Sequence, residues 1–386
     1  MLYRKFGKTG EKVSILGFGC MRFPLIGQDS TKIDEEKSIE MMHYAIDRGL
    51  NYVDTAYPYH GDGGKDGGMS EPLVAKALKN GYREKVYLAT KLPSWLIETR
   101  EDMDYYLNRQ LERLKTDHID FYLVHALDSA RWDNLMKLGI GEFLDTAIKD
   151  GRIRYAGFSF HDKLDTFKRI VDDYNWSFCQ IQYNYIDEEY QAGKEGLDYA
   201  VARELGIVIM EPLRGGNLVR SIPDAVQAAF DEADNKKTPA KWALRWIWEQ
   251  AETHVVLSGM STLDQVIENM EIAEEGYPNS FTKEEKDIMN RAKTIFRDRI
   301  KVDCTGCEYC MPCPYGVNIP GNFARYNEYN LFDDPSLKEG QMKQYQNMPD
   351  DEKASICVEC GACVPQCPQN IPIPEKLRDV VAVMEK

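Results

Sequence analysis

Short apolar runs alternate with longer amphipathic stretches across residues 1–280. The runs are SILGFGC, NYVDTA, VYLAT, DFYLVH, YAGFS, FCQIQYN, IVIMEP and VVLSGM, eight in all and rich in β-branched and aromatic residues. Between them lie stretches such as EEKSIEMMHYAIDRG, TREDMDYYLNRQLERLK, LDTFKRIVDDY and TLDQVIENMEIAEE. Their apolar positions recur at spacings of three and four, which places them on one face of a helix. Several of these stretches end in glycine just before the next run, where a left-handed residue stops a helix. Eight strand–helix units in this length predict a closed (β/α)8 barrel. An open doubly wound sheet would need a glycine-rich dinucleotide turn followed by a helix after an early strand, and GFGC lacks both.

The pattern changes after the barrel. FTKEEKDIMNRAKTIFRDR predicts a linking helix over 281–299, with Thr282 as N-cap and Glu285 completing a capping box. Residues 300–386 then hold NFARYNEYN, PSLKEGQMKQYQNM and PEKLRDVVAVMEK, which predict a small, mostly helical domain. The glycine-rich stretch GDGGKDGG at 61–68 reads as the most flexible part of the chain. A formal charge of −15 argues against a broad nucleic-acid footprint. The opening MLYRKFGKTGEKVS has no apolar signal region, and no uncharged stretch of 18 residues occurs, so a cytoplasmic protein without a membrane span is expected.

Cysteine usage divides the chain at the same place: two cysteines, Cys20 and Cys179, precede residue 300, and eight follow it. Cys20 and Cys179 sit in strand-like apolar runs and read as buried fillers. The eight form two series, CTGCEYCMPCP (Cys304, Cys307, Cys310, Cys313) and CVECGACVPQCP (Cys357, Cys360, Cys363, Cys367). A C-x2-C-x2-C segment converges three thiolates on one small volume, and the fourth cysteine, before proline, leaves toward a neighbouring cluster. The second series has the bacterial ferredoxin spacing; the first is one residue shorter before Cys313. The expectation is two [4Fe–4S] clusters, with one cluster or zinc as the alternatives. By analogy with two-cluster ferredoxins, Cys304, Cys307 and Cys310 would share one cluster with Cys367. Cys357, Cys360 and Cys363 would share the other with Cys313.

Barrel enzymes place their chemistry where strands end. The second predicted strand ends at Asp54 with Tyr59 just beyond it, the third at Lys91, the fourth at His125 and the fifth at Ser159. A phenol ordinarily titrates near pH ~10 and is a poor acid at neutral pH. A neighbouring ammonium would lower that value, and a carboxylate would hold the ammonium in place. Tyr59 as general acid, Lys91 as its tuner, Asp54 as anchor and His125 as substrate orienter therefore form a carbonyl-reducing set.

These residues carry a resemblance. YRKFGKTGEKVSILGFG, NYVDTAYPY, LERLKTDHIDFYLVH, GRIRYAGFS and GMSTLDQVIENM together make residues 1–280 similar to an aldo-keto reductase. The whole chain resembles the subgroup with a C-terminal ferredoxin-like domain. The resemblance implies a catalytic tetrad of Asp54, Tyr59, Lys91 and His125. It also implies an NAD(P)H site in which Ser159 and Gln180 bind the nicotinamide carboxamide and Gly259, Ser261, Gln265 and Asn269 line the adenosine and phosphate end. Three positions depart from the family pattern. Phe160 replaces the asparagine after the fifth-strand serine, Met210 stands where an aromatic commonly stacks on the nicotinamide, and Gln265 replaces an arginine. The last change removes a charge from the 2′-phosphate end and brings NAD(H) forward, with Arg214 the nearest replacement cation by motif. Trp95, Leu127, Trp132 and Met136 in the rim segments suit an apolar carbonyl substrate or a packing role.

The implied function is NAD(P)H-dependent interconversion of a carbonyl compound and its alcohol, with an iron–sulfur module appended for electron transfer, sensing or structure. The alternative is an iron–sulfur electron carrier or redox sensor that uses the barrel as a docking scaffold. Hydride transfer moves two electrons and a [4Fe–4S] cluster one. Active clusters would therefore call for a flavoprotein or another electron-transfer partner, or for a radical-tolerant substrate.

Overall fold

Among the described residues, ten strands order the N-terminal part of the chain: β1 (Tyr3–Lys5), β2 (Lys12–Ser14), β3 (Leu16–Gly19), β4 (Tyr52–Asp54), β5 (Tyr87–Leu92), β6 (Ile119–Leu127), β7 (Ile153–Phe160), β8 (Phe178–Gln182), β9 (Gly206–Met210) and β10 (Val255–Ser258). In the computed structural model, which describes residues 1–27, 29–61 and 65–386, β3 to β10 close into a parallel barrel with β10 pairing back onto β3. The glycine-rich stretch is described except for residues 62–64, which lie outside the described residues. The eight apolar runs are thus the eight barrel strands, and the protein is a (β/α)8 barrel followed by a largely helical region.

The chain clusters into two compact units, Met1–Gly215 with Ala240–Phe281, and Gly216–Pro239 with Thr282–Lys386. Residues 216–239, assigned to the barrel from sequence, group with the C-terminal unit.

Ahead of the barrel, β1 and β2 form an antiparallel hairpin whose Phe6 is wholly buried. Its ring meets Phe121 at 5.0 Å, Phe178 at 5.6 Å and Tyr52 at 6.2 Å, all at or near the starts of their strands. Phe6 therefore plugs the N-terminal end of the barrel. Gly206 has to be glycine for this, because a Cβ there would sit 2.6 Å from the Phe6 ring.

The helices follow their spacing. Arg100–Leu114 buries Met103, Tyr106, Leu107, Gln110 and Leu114, opens with a Thr99–Asp102 capping box and stops at Lys115 in the left-handed region (φ 51°). Capping boxes of this kind satisfy two otherwise orphaned backbone donors. Cys20 and Cys179 are fully buried. Among the described residues, no helix is long and apolar enough to cross a membrane.

In the second unit, helices Ile319–Leu331, Pro335–Gln346 and Ile373–Met384 enclose a core that includes Phe323, Tyr345, Ile373, Leu377 and Val380. Cys304, Cys310, Cys313, Cys357, Cys363 and Cys367 pack against this core. Helix Lys283–Arg297 has the expected Thr282–Glu285 capping box and packs against helix Asp224–Asp231. Lys237 pairs with Glu285 at 2.9 Å and Arg291 with Glu232 at 2.6 Å.

Candidate active site and cysteine cavities

Alternation along the barrel strands places the site. Side chains two residues apart share a face, so the interior layer indicates what lines the mouth above it. Tyr52, Ala89, Leu123, Phe178, Val208 and Leu257 belong to the interior core. Two residues further along the same strands, toward their C-terminal ends, stand Asp54, Lys91, His125, Gln180, Met210 and Gly259. Ser159, level with Gln180 in the pairing of β7 with β8, joins them.

Lys91 is the centre of this rim. Its Nζ donates to Asp54 Oδ1 at 2.6 Å, to the Thr55 carbonyl at 2.8 Å and to the Tyr59 hydroxyl at 3.2 Å. Lys91 is fully buried and Asp54 nearly so. The Tyr59 and His125 rings meet edge to face at 6.0 Å. The structure thus brings Asp54, Tyr59, Lys91 and His125 into one cluster.

Burial alone would favour the neutral amine of Lys91, but Asp54 and Tyr59 outweigh it and hold the ammonium above its ordinary range. Burial pushes the Tyr59 phenol above its usual value, with Lys91 pulling the other way. This corrects the sequence-based expectation of a lowered phenol: at this depth the cost of desolvating a phenolate exceeds what one ammonium returns. Burial likewise pushes the Asp54 carboxyl up against the pull of Lys91. It takes the His125 imidazole well below its ordinary value, helped by Lys91, His161 and Arg131. His125 is therefore neutral at physiological pH.

Three polar atoms on the rim, Asp54 Oδ2, His125 Nδ1 and Gln180 Oε1, are buried and have no hydrogen-bond partner among the described residues. Unsatisfied buried groups of this kind are costly, and their concentration at one barrel mouth suits a polar ligand. The Ser159 hydroxyl accepts from the Ala126 N–H at 2.7 Å, where β6 is irregular and Ala126 has φ 50°. Gln180 Nε2 lies 3.4 Å from Met210 Sδ. Phe160 turns into the core against Phe167.

At the other end, the Ser261 N–H donates to Gln265 Oε1 at 2.8 Å. Asn269 is buried, its amide donating to Ser258 Oγ at 2.9 Å. Arg214 pairs with Asp187 at 3.2 Å.

The apolar rim residues separate. Trp95 is partly exposed and its ring lies 5.2 Å from that of His125. Trp132 is buried on a helix, Ser129–Lys137, with its indole donating to Asp173, and Leu127 is fully buried. Those two are packing residues. Met136 is exposed.

One supporting network escaped the sequence reading. Glu71 is fully buried and accepts from Thr90 at 2.8 Å, Gln110 at 2.9 Å and Arg113 at 2.8 Å. Gln110 also donates to the Lys91 carbonyl at 3.0 Å, so this carboxylate braces the lysine strand from behind. The available signal was Gln110, a polar residue on the apolar face of its helix.

In the second unit the eight cysteines line two cavities. Cys304, Cys307, Cys310 and Cys367 surround one, floored by Phe323 and Ile373. Cys313, Cys357, Cys360 and Cys363 surround the other, beside Tyr315 and Leu377. No cysteine is in a disulfide. Burial, with neighbouring thiols adding to it, pushes Cys310 up to about 11. A bound cationic centre would relieve that crowding. Four thiols around each cavity match the ligand number of a [4Fe–4S] cluster.

Comparison with known proteins matches both parts. Residues 15–289 match the Aldo/keto reductase family, and residues 303–372 match a 4Fe-4S dicluster domain. An uncharacterized oxidoreductase, YrpG, of Bacillus subtilis is 33% identical over 235 residues, covering 56% of this chain and 68% of that protein. A probable aldo-keto reductase 1 of Glycine max is 28% identical over 306 residues, 69% of this chain and 82% of that protein. Aldo-keto reductase AKR11C1 from Bacillus halodurans, in its holo form, superposes with a TM-score of 0.62 at 26% identity, covering 76% of this chain and 96% of the other.

Proposed function

Because the chain belongs to the aldo/keto reductase family and carries a 4Fe-4S dicluster domain, we propose that its barrel interconverts a carbonyl compound and its alcohol with NAD(P)H, and that its tail holds two [4Fe–4S] clusters. The observation that carries the catalytic part is the buried Lys91 ammonium hydrogen-bonded to both Asp54 and Tyr59. A bound nicotinamide supplies the hydride in reduction and accepts it in oxidation. The Tyr59 phenol donates its proton to the carbonyl oxygen as negative charge develops there. Lys91 stabilises the phenolate left behind, Asp54 keeps Lys91 charged, and neutral His125 hydrogen-bonds the same oxygen without adding charge. Ser159 and Gln180 would hold the carboxamide, and Trp95, whose ring lies beside that of His125, would offer the substrate an apolar wall.

In the tail, Cys304, Cys307, Cys310 and Cys367 would hold one cluster, and Cys313, Cys357, Cys360 and Cys363 the other, each a one-electron centre. Eight cysteines committed to cluster ligation rather than to disulfides would suit a cytoplasmic, reducing compartment. The experiment that tests the reading is anaerobic mixing with NADH or NADPH, with and without aldehydes and ketones. Dinucleotide oxidation that depends on the carbonyl supports it. Cluster bleaching by dinucleotide, with no carbonyl turnover, would favour the scaffold reading instead.

Cofactor preference follows from charge at the adenosine end. Gln265 offers no charge and its carbonyl is engaged by Ser261, while Arg214 is paired with Asp187. A charged contact to a 2′-phosphate is worth ~1.5–3 kcal/mol. NADH and NADPH are therefore expected to bind within about tenfold of each other, or NADH more tightly, in titrations at one salt concentration. NADPH binding about a hundredfold tighter would place an unrecognised cation at that end.

A further inference from the structure

We infer that Arg22 is the cation that binds the diphosphate bridge of the dinucleotide, a deeper reading that rests on the nicotinamide site proposed above. Arg22 follows β3, the strand that pairs with β10 at the barrel's closure. Its aliphatic stem lies along the segment after β10: a Cβ on Gly259 would sit 3.2 Å from Arg22 Cβ, Cγ and Cδ. A side chain at position 259 would press on the arginine stem, which would have to give by a few tenths of an ångström. The Ser261 hydroxyl fixes the Arg22 backbone, donating to its carbonyl at 2.8 Å. The guanidinium reaches toward the loop after β9, where a Cβ on Gly215 would meet Arg22 Nη2 at 3.4 Å. The backbone of Gly215 is left-handed there, at φ 65°.

The placement selects which phosphate is met. Met210 ends β9 on the nicotinamide side of the rim, and Ser261, Gln265 and Asn269 follow β10 on the adenosine side. A guanidinium between the loops after β9 and β10 stands between those two ends, where a dinucleotide carries its diphosphate. Arg22 is exposed, and its guanidinium has no ion pair or hydrogen bond among the described residues. Glu211 is the acid near the same point, with Oε2 3.8 Å from the Gly215 Cβ position, and it makes no ion pair with Arg22. A planar fork of donors held on two sides and otherwise uncommitted is suited to phosphate oxygens.

The test compares wild type, Arg22→Gln and Arg22→Lys by calorimetric titration with NADH, NADPH and ADP-ribose, alongside thermal melting. For Arg22→Gln, all three ligands are expected to bind about tenfold or more weakly by a common factor, because all three carry the diphosphate. The melting temperature should not move, and Arg22→Lys should recover part of the affinity. Unchanged affinity for all three ligands would overturn the assignment. So would a loss confined to NADPH, which would make Arg22 a reader of the 2′-phosphate. If wild-type protein bound neither dinucleotide, the nicotinamide reading itself would fall, and this proposal with it.

Discussion

Tyr59→Phe is expected to slow carbonyl reduction by ~10²–10⁴-fold while leaving dinucleotide affinity nearly unchanged. The substitution removes one hydroxyl and keeps the ring that faces His125. The Lys91–Asp54 ion pair survives, because Lys91 retains its bonds to Asp54 and the Thr55 carbonyl. Only the proton donor is lost. Removing Lys91 or Asp54 would be a poorer test, since stranding one member of a buried ion pair costs ~3–5 kcal/mol of stability. The same geometry sets the pH dependence. Burial holds the Tyr59 phenol above its ordinary value near ~10, so the acid form persists across neutral pH. Reduction by the wild type should stay level from about pH 6 to about pH 9 and fall only in strong alkali, as the proton is lost. An unchanged kcat for Tyr59→Phe, or a wild-type rate that falls between pH 7 and 8, would remove Tyr59 from the mechanism.

Anaerobically purified protein is expected to contain about eight irons and about eight sulfides per chain. The sharper expectation concerns how ligands are shared, because Cys367 belongs to the second series but lines the cavity of the first. Cys367→Ala should reduce iron to about four per chain. Adding Cys304→Ala should leave it at about four, since both residues serve the same cavity. Adding Cys357→Ala instead should remove nearly all of it, because that residue lines the other cavity. If Cys357→Ala added to Cys367→Ala left iron at about four, each cluster would be held within its own series and the crossed assignment would fail. Zinc in place of iron would overturn the cluster reading entirely.

The barrel could be read from sequence because each strand is a continuous apolar run with both faces covered, and because helical spacing fills the intervals. The rim was legible for a related reason. Asp54, Lys91 and His125 are polar residues at the ends of such runs, on the same side as the buried residues two before them. What the sequence left unread depends on contacts between distant segments. Glu71 is bound by Thr90 and by Gln110, 19 and 39 residues away. Arg22 lies 239 residues from the Ser261 hydroxyl that fixes its backbone. No periodicity reports either. The rise of the Tyr59 pKa was missed because the sequence shows the neighbouring cation but not the depth of burial. Between a substrate role and a packing role, sequence left Trp132 and Leu127 open; Trp132 is turned inward by the helix after β6, and Leu127 is the buried last residue of β6.

The grouping of Gly216–Pro239 with Thr282–Lys386 bears on how this protein could be taken apart. A module fused to the end of an enzyme can be excised at a single junction. Here, cutting after Phe281 removes helix Lys283–Arg297, with its buried Ile288, Met289, Ala292 and Phe296. Helix Asp224–Asp231 stays behind on the catalytic fragment without the helix it packs against. Lys237 and Glu232 would also lose Glu285 and Arg291. A clean excision therefore needs a second cut, or a redesigned surface on the inserted segment. Grafting the tail onto a simpler barrel would require transplanting that insertion with it.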